Sequence, residues 1–251
     1  MTARSAALCL GGVVLALAGC GGGNGKPELT VSAASSLTAA FTRYGDDFGA
    51  ADARFSFAGS DVLAAQIRQG ARPDVFASAN TTYPDDLHGR GLVAKPVVFA
   101  ANRLVVAVPA ASRQIHSVND LARPDVSLAI GSPSVPVGIY TRQILSGLGA
   151  SESSAILDNV GSNEPDVAGI VGKLTQRAVD AGFVYVTDVD AAKGQLKAIE
   201  LPAKLQPSVA YAAAVVNGTD HQAQARSFVD GLLSGPGRQA LHDAGFEPPP
   251  K

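Results

Sequence analysis

The chain has 251 residues, enough for one large domain or two smaller ones, and it carries 20 basic and 22 acidic residues without a basic run. This balance argues against a nucleic-acid partner, because duplex binding needs clustered Lys and Arg. The absence of tryptophan from the sequence also removes the indole platform on which many sugar-binding sites stack their ligand.

The first predicted element is an export signal. Arg4 precedes an apolar run of 13 residues, Ala6 to Ala18, which is shorter than the roughly 20 residues that a membrane-spanning helix needs. The run ends in Leu17-Ala18-Gly19-Cys20, which resembles the lipobox of bacterial lipoproteins. The resemblance implies that residues 1–19 are a lipoprotein signal peptide, cleaved before a lipidated Cys20; the alternative is a signal cut elsewhere.

Residues 20–27 are glycine-rich and predict a flexible linker, because such a composition cannot bury apolar surface. Cys9 leaves with the signal and Cys20 carries the lipid, so the exported domain has no remaining thiol. We therefore expect no disulfide and no thiolate metal site.

A strand from Glu28 to Ser32 is followed by Leu37, Ala40, Phe41 and Tyr44 at helical spacing. Ser35 and Ser36 therefore lie at a strand-to-helix junction. The first N–H groups of a helix lack intrahelical partners, so such a junction can bind an anion. The alternative is that a serine there only caps the helix.

The same arrangement recurs downstream: a strand to Ala58, then Gly59-Ser60-Asp61, then a helix through Ile67. Two further helix starts follow, one in the small-residue loop from Val135 to Gly138 and one at Asp166-Val167, with Asn163 as the predicted cap. Other predicted strands cover residues 74–79, 97–101, 104–108, 126–130, 180–186 and 208–216.

Strands alternate with helices throughout, which predicts an α/β fold with mostly parallel sheets. Two crossings, near 102–108 and 205–216, indicate two lobes: residues 28–107 plus 206–251, and residues 108–205. If the lobes face each other, the four junctions surround one small ligand. Neutral donors and helix ends suit a compact oxyanion, because no Lys or Arg has to be desolvated.

The junction sequences resemble those of the periplasmic molybdate-binding proteins of ABC importers. Six segments carry the resemblance, in the same order along the chain: residues 33–41, 57–67, 73–79, 135–140, 166–167 and 182–188. Together they span about residues 28 to 248, nearly the whole exported domain.

The resemblance implies a two-lobed class II periplasmic-binding fold with its ligand cleft between the lobes. It further implies an exported, lipid-anchored or periplasmic monomer that is not an enzyme, needs no cofactor, and delivers molybdate or tungstate to a membrane permease. Molybdenum would be held only as the oxyanion, with no direct metal ligand. The site residues that it implies are Ser36 and Ser60, donating hydroxyl and backbone N–H; Val137 and Val167, donating backbone N–H; and Tyr185, donating its hydroxyl.

Two positions depart from the family pattern. Asp61 stands where a small polar residue is usual, and at the first turn of a helix we expect it to face solvent. Val137 replaces a usual alanine and is expected to trim the pocket. Both departures bear on which oxyanion is selected.

Three alternatives remain open at this point. A sulfate-binding protein would use the same donors, and a phosphate-binding protein would need an acceptor for the ligand's proton, which Asp61 offers. A serine hydrolase is disfavoured, because Ser60 lacks a Gly-x-Ser-x-Gly setting and the four histidines lie away from the junctions. The alternative for Tyr185, equally supported by spacing alone, is an aromatic residue of the core, although a buried tyrosine hydroxyl still needs a partner.

Overall fold

A computed structural model describes residues 26–250 of the chain. The predicted signal peptide, Cys20 and most of the predicted linker lie outside these residues. The strands are β1 (Glu28–Ala34), β2 (Asp52–Ala58), β3 (Val75–Ser78), β4 (Val97–Asn102), β5 (Leu104–Pro109), β6 (Leu128–Gly131), β7 (Val160–Glu164), β8 (Ala181–Tyr185), β9 (Leu196–Glu200) and β10 (Val209–Val215).

The helices are α1 (Thr38–Asp47), α2 (Ser60–Arg68), α3 (Thr82–Gly89), α4 (Pro136–Ser146), α5 (Ala150–Asp158), α6 (Val167–Thr175), α7 (Val186–Ala191), α8 (Gln222–Leu233) and α9 (Pro236–Asp243). Short 3-10 turns cover Ser35–Leu37, Val118–Ala122 and Ala203–Leu205. No helix within residues 26–250 has the length and apolar character that crossing a membrane requires.

The strands form two five-stranded sheets of the same design, ordered β2-β1-β3-β10-β4 and β7-β6-β8-β5-β9. In the first sheet β1 pairs in parallel with β2 and β3, and β10 runs antiparallel between β3 and β4. In the second sheet β6 pairs in parallel with β7 and β8, and β5 runs antiparallel between β8 and β9. The predicted two-lobed α/β fold is confirmed, with one correction: pairing is mixed, because each sheet contains one reversed strand.

The reversed strands mark the two passages of the chain between the sheets. The chain leaves the first sheet at Asn102 and enters the second at Leu104, with Arg103 alone between them. It returns through the segment that joins β9 to β10. The predicted lobe boundary after residue 107 therefore falls within β5 rather than at the passage itself.

The sequence analysis did not predict two edge strands, β7 and β9. One of them contains a residue that was predicted to cap a helix. Asn163 lies in β7, where it is paired with Ile130 of β6, so it does not cap a helix. Asp166 caps α6 instead, because its Oδ1 accepts the N–H of Gly169 at 3.0 Å. Both missed strands lie at a sheet edge and have only five residues; β7 is largely polar and β9 mixes apolar with charged residues, which weakens an alternating hydrophobic signal.

Candidate functional site

One cavity brings together all five residues that the sequence resemblance implied, Ser36, Ser60, Val137, Val167 and Tyr185. The remaining lining residues are Ala34, Ser35, Ala58, Gly59, Ala79, Val135, Pro136 and Asp166. They come from both sheets, so the cavity lies between the lobes. The space that they enclose is far smaller than the roughly 300–1,000 Å³ typical of drug-sized ligands, so it suits a compact ligand.

Helix beginnings supply most of the wall. Ser60 and Val167 are the first residues of α2 and α6, and Val137 follows Pro136 at the start of α4. Proline fits the first position of a helix because it has no N–H to leave unpaired. The N–H of Val137 is therefore the first that α4 can offer, and three helix dipoles place partial positive charge at the cavity.

Both serines are buried, and the hydroxyl of each has a hydrogen-bond partner within the protein. Ser60 Oγ accepts the N–H of Ala79 at 3.1 Å. Ser36 Oγ lies 3.0 Å from the hydroxyl of Tyr211. The Ser60 proton is therefore free to point towards a ligand.

Tyr185 ends β8 and is only 1% exposed. Among the described residues its hydroxyl has no hydrogen-bond partner. Burial raises the pKa of Tyr185 well above its ordinary value, so the phenol keeps its proton and remains a donor. A buried donor without a partner is costly, and a ligand acceptor in the cavity would satisfy it.

The charged groups near the cavity are carboxylates. Within residues 26–250 no Lys, Arg or His lines it, whereas Asp166 does, with one oxygen engaged in capping α6. Asp188 lies in the first turn of α7, and its Oδ2 accepts the N–H of Tyr185 at 3.0 Å. Burial raises the pKa of Asp188 to about 7; the hydrogen bond from Tyr185 lowers it, and repulsion from Asp166 raises it further.

Asp61 is half-buried, and its carboxylate is engaged across the cleft rather than turned to solvent as the sequence predicted. Its Oδ2 accepts the hydroxyl proton of Ser134 at 2.6 Å, across the cleft, and its Oδ1 is buried. Tyr83 also crosses the cleft, donating its hydroxyl to the carbonyl oxygen of Ser134. Asp61 is not among the residues that line the cavity, because its carboxylate is used to hold the second lobe.

Two close approaches of the backbone depend on glycine. A Cβ on Gly59 would lie 2.4 Å from the carbonyl oxygen of Pro165, so the two lobes touch here without room for a side chain. A Cβ on Gly131 would lie 2.7 Å from Cγ1 of Val137. The valine that departs from the family pattern therefore packs into the space left by Gly131.

A larger groove, of about 650 Å³, lies beyond Ser36 and Asp188, between α1, α7 and α9. Its titratable residues are Arg43, Asp188, Asp190, His242 and Asp243, and Arg43 is paired with Asp243 at 2.7 Å. Three carboxylates would repel an anion, so the smaller cavity is the candidate site. Within residues 26–250 there is also no group of three His, Cys, Asp or Glu side chains placed to hold a metal ion.

Comparisons with known proteins identify the family of the chain. A family model described as a bacterial extracellular solute-binding protein matches residues 29–247. The molybdate-binding protein ModA of Mycobacterium tuberculosis is 36% identical over 231 residues, covering 90% of this chain and 86% of that protein.

Two solved structures share the fold. The periplasmic molybdate-binding protein of Azotobacter vinelandii matches with a TM-score of 0.79 at 22% identity, covering 88% of this chain and all of that one. The sulfate-binding protein SubI of Mycobacterium tuberculosis also matches with a TM-score of 0.79, at 17% identity, covering 88% of this chain and 87% of that one. At these identities the two structures bear on the fold alone.

Proposed function

The chain belongs to the bacterial extracellular solute-binding proteins, and from this membership we propose that it captures molybdate, and also tungstate, for an ABC importer. Members of this family bind solutes and are not enzymes, which sets aside the serine hydrolase. Molybdate is the ligand, and no cofactor is needed.

The observation that carries the proposal is the set of neutral donors around one cavity, completed by the unpartnered Tyr185 hydroxyl. We assign hydroxyl and N–H donation to Ser36 and Ser60, N–H donation to Val137 and Val167, and hydroxyl donation to Tyr185. Hydrogen bonds to a charged acceptor are about twice as strong as neutral ones. Several such bonds from helix starts stabilise a dianion without burying a cation.

The donor set also bears on selectivity. Molybdate, tungstate and sulfate are fully deprotonated tetrahedral dianions at neutral pH, and all accept from every donor. Monohydrogen phosphate carries a proton that needs an acceptor. Asp61, the acceptor considered from the sequence, is bonded to Ser134 instead. We place phosphate last because the order of the six sequence motifs matches that of the molybdate-binding proteins, and we separate molybdate from sulfate by cavity size alone.

Thermal unfolding of the exported domain, residues 27–251, with each of the four oxyanions added separately, tests the proposal. A ligand at 100 times its dissociation constant stabilises a fold by about 2.7 kcal/mol, which for a chain of this size raises the Tm by about 5–10 °C. We expect this shift with molybdate and tungstate and not with phosphate. A shift with sulfate alone would replace molybdate by sulfate as the ligand, and no shift with any oxyanion would overturn the proposal.

We further propose that the protein is a monomer held at the outer face of the membrane by lipid on Cys20, and that its two lobes, with their first boundary at Arg103 rather than after residue 107, close on the ligand. The lipobox-like sequence supports the anchor. A Cys20→Ser variant is expected to lose membrane association while keeping its oxyanion affinity. Retention of that variant in the membrane fraction would contradict lipidation at Cys20.

Replacing Tyr185 by phenylalanine is expected to have opposite effects on stability and binding. Removal of a buried hydroxyl without a partner leaves the free energy of unfolding unchanged or raises it by about 1 kcal/mol. Loss of a hydrogen bond to a charged ligand weakens molybdate binding by about tenfold or more. Chemical denaturation measures the first quantity and titration calorimetry the second.

Tyr44→Phe provides the matched control, because the buried Tyr44 hydroxyl donates to the carbonyl oxygen of Phe228 at 3.1 Å, away from the cavity. It should lose about 1 kcal/mol of stability and keep full affinity. If Tyr185→Phe behaved like this control, the Tyr185 hydroxyl would not be a ligand donor.

A further inference from the structure

We infer that Tyr211 is a positioning residue for the oxyanion: its hydroxyl donates to Ser36 Oγ and so directs the Ser36 proton into the cavity. The inference rests on the proposed function and concerns a residue that does not line the cavity. Tyr211 lies in β10, the strand that returns from the second lobe, and is fully buried.

The Tyr211 ring is held on three sides by other aromatic rings. Its centroid lies 5.2 Å from that of Phe246, 5.8 Å from that of Tyr185 and 6.2 Å from that of Phe99. Edge contacts of this kind fix the orientation of a ring. The Tyr211 hydroxyl is therefore held at 3.0 Å from Ser36 Oγ.

A count of protons gives the direction of this hydrogen bond. Ser36 has one hydroxyl proton, and a deprotonated oxyanion offers only acceptors. If Ser36 gave its proton to Tyr211, it would turn a lone pair towards the anion and repel it. Ser36 donates to the ligand only when Tyr211 supplies the proton of their contact, and a phenol is a better donor than an aliphatic alcohol.

Ser60 shows the same design with a different donor. Its Oγ accepts from the backbone N–H of Ala79, so a donor stands behind each of the two serines and both protons point forward. The donor behind Ser60 belongs to the backbone and cannot be removed by a side-chain replacement. The proposed donor to Ser36 is a single phenol hydroxyl, so its role can be tested by a side-chain replacement.

Tyr211→Phe removes that oxygen and keeps the ring in its aromatic contacts. We expect it to weaken molybdate binding by about 5- to 150-fold, the range for leaving one buried acceptor unsatisfied. A double-mutant cycle with Ser36→Ala distinguishes this positioning role from a merely structural role of Tyr211. In the Ser36→Ala background, Tyr211→Phe should change the dissociation constant less than twofold, because there is no longer a serine proton to direct.

The Tyr44→Phe variant is the control for loss of a buried tyrosine hydroxyl in the same lobe and should bind molybdate like the wild type. Equal losses from Tyr211→Phe with and without Ser36, or no loss at all, would overturn the inference while leaving oxyanion binding by the wild type intact. A wild type that binds none of the four oxyanions in calorimetry would overturn the proposed function as well.

Discussion

Gly59→Ala is expected to weaken oxyanion binding at least a hundredfold and to leave the stability of the ligand-free protein almost unchanged. The added Cβ would lie 2.4 Å from the carbonyl oxygen of Pro165, closer than real Cβ contacts come. The contact joins backbone to backbone, so no side-chain rotation relieves it. The lobes must stay apart at this point.

Separated lobes cannot place all their donors on one ligand. If the N–H groups of Val137 and Val167 no longer reach an anion held by Ser36 and Ser60, two hydrogen bonds to a charged acceptor are lost, each contributing about 1.5–3 kcal/mol. Gly59 itself has φ −61° and ψ 136°, which alanine adopts freely. An open, ligand-free protein therefore tolerates the change.

Gly149→Ala is a closely matched control. Gly149 precedes α5 as Gly59 precedes α2, with φ −61° and ψ 149°, and a Cβ there would meet nothing within 4 Å. Titration calorimetry should show full affinity for Gly149→Ala and a large loss for Gly59→Ala, with similar Tm values for both ligand-free variants. Full affinity in Gly59→Ala would mean that ligand binding does not require the contact between Gly59 and Pro165.

Asp188→Asn is expected to stabilise the protein at pH 8 and to change little at pH 4. The pKa of Asp188 is raised from 3.8 to about 7 in the folded state. Between these values the folded chain holds a proton that the unfolded chain has lost, so the free energy of unfolding falls as pH rises from about 4 to 7. Above pH 7 this loss of stability is complete.

The full shift corresponds to about 1.4 kcal/mol per pKa unit. We expect Asp188→Asn to raise the free energy of unfolding at pH 8 by roughly 2–4 kcal/mol. The upper value lies below the full shift because the groove beside Asp188 is open to water, which screens the charge. Asparagine keeps an oxygen that can accept the Tyr185 N–H, so the local turn is preserved. Chemical denaturation between pH 4 and pH 8 measures the free energy of unfolding. Its slope against pH should be smaller in Asp188→Asn than in the wild type.

Asp190→Asn, on the exposed face of the same helix, should retain the wild-type slope and serves as the control.

Asp74 contributes to stability in a different pH range: burial raises its pKa, but hydrogen bonds from Thr219, Thr30 and His221 outweigh burial and lower it. Its stabilisation is therefore present above about pH 4 and lost at lower pH.

An unchanged slope in Asp188→Asn would contradict a raised pKa at that position.

Much of this fold could be predicted because its signals are local. The buried strands at the centre of each sheet are short apolar runs, and the serine-containing junctions after β1 and β2 are adjacent in sequence to the helices that they begin. The edge strands β7 and β9 were missed, because half-exposed edge strands carry mixed polar residues whose pairing depends on a neighbour far along the chain.

The candidate site was likewise predictable only in part from the local sequence. Ser36, Ser60, Val137, Val167 and Tyr185 were nominated from local motifs, and the structure brings all five to one cavity. Their roles as ligand donors stay predictions. The cap at Asn163 was wrong, because β7 continues through that residue before α6 begins.

The sequence by itself determined the family, the alternation of strands and helices, and which residue types stand at each helix start, since each depends on neighbours within a few positions. Only the tertiary structure decided that Tyr211 stands behind Ser36, that Asp61 bonds to Ser134, and that Gly59 meets Pro165. The partners in these contacts lie far apart along the chain. They come together through the pairing of β10 within the first sheet and the approach of the two lobes, neither of which any local pattern of residues encodes.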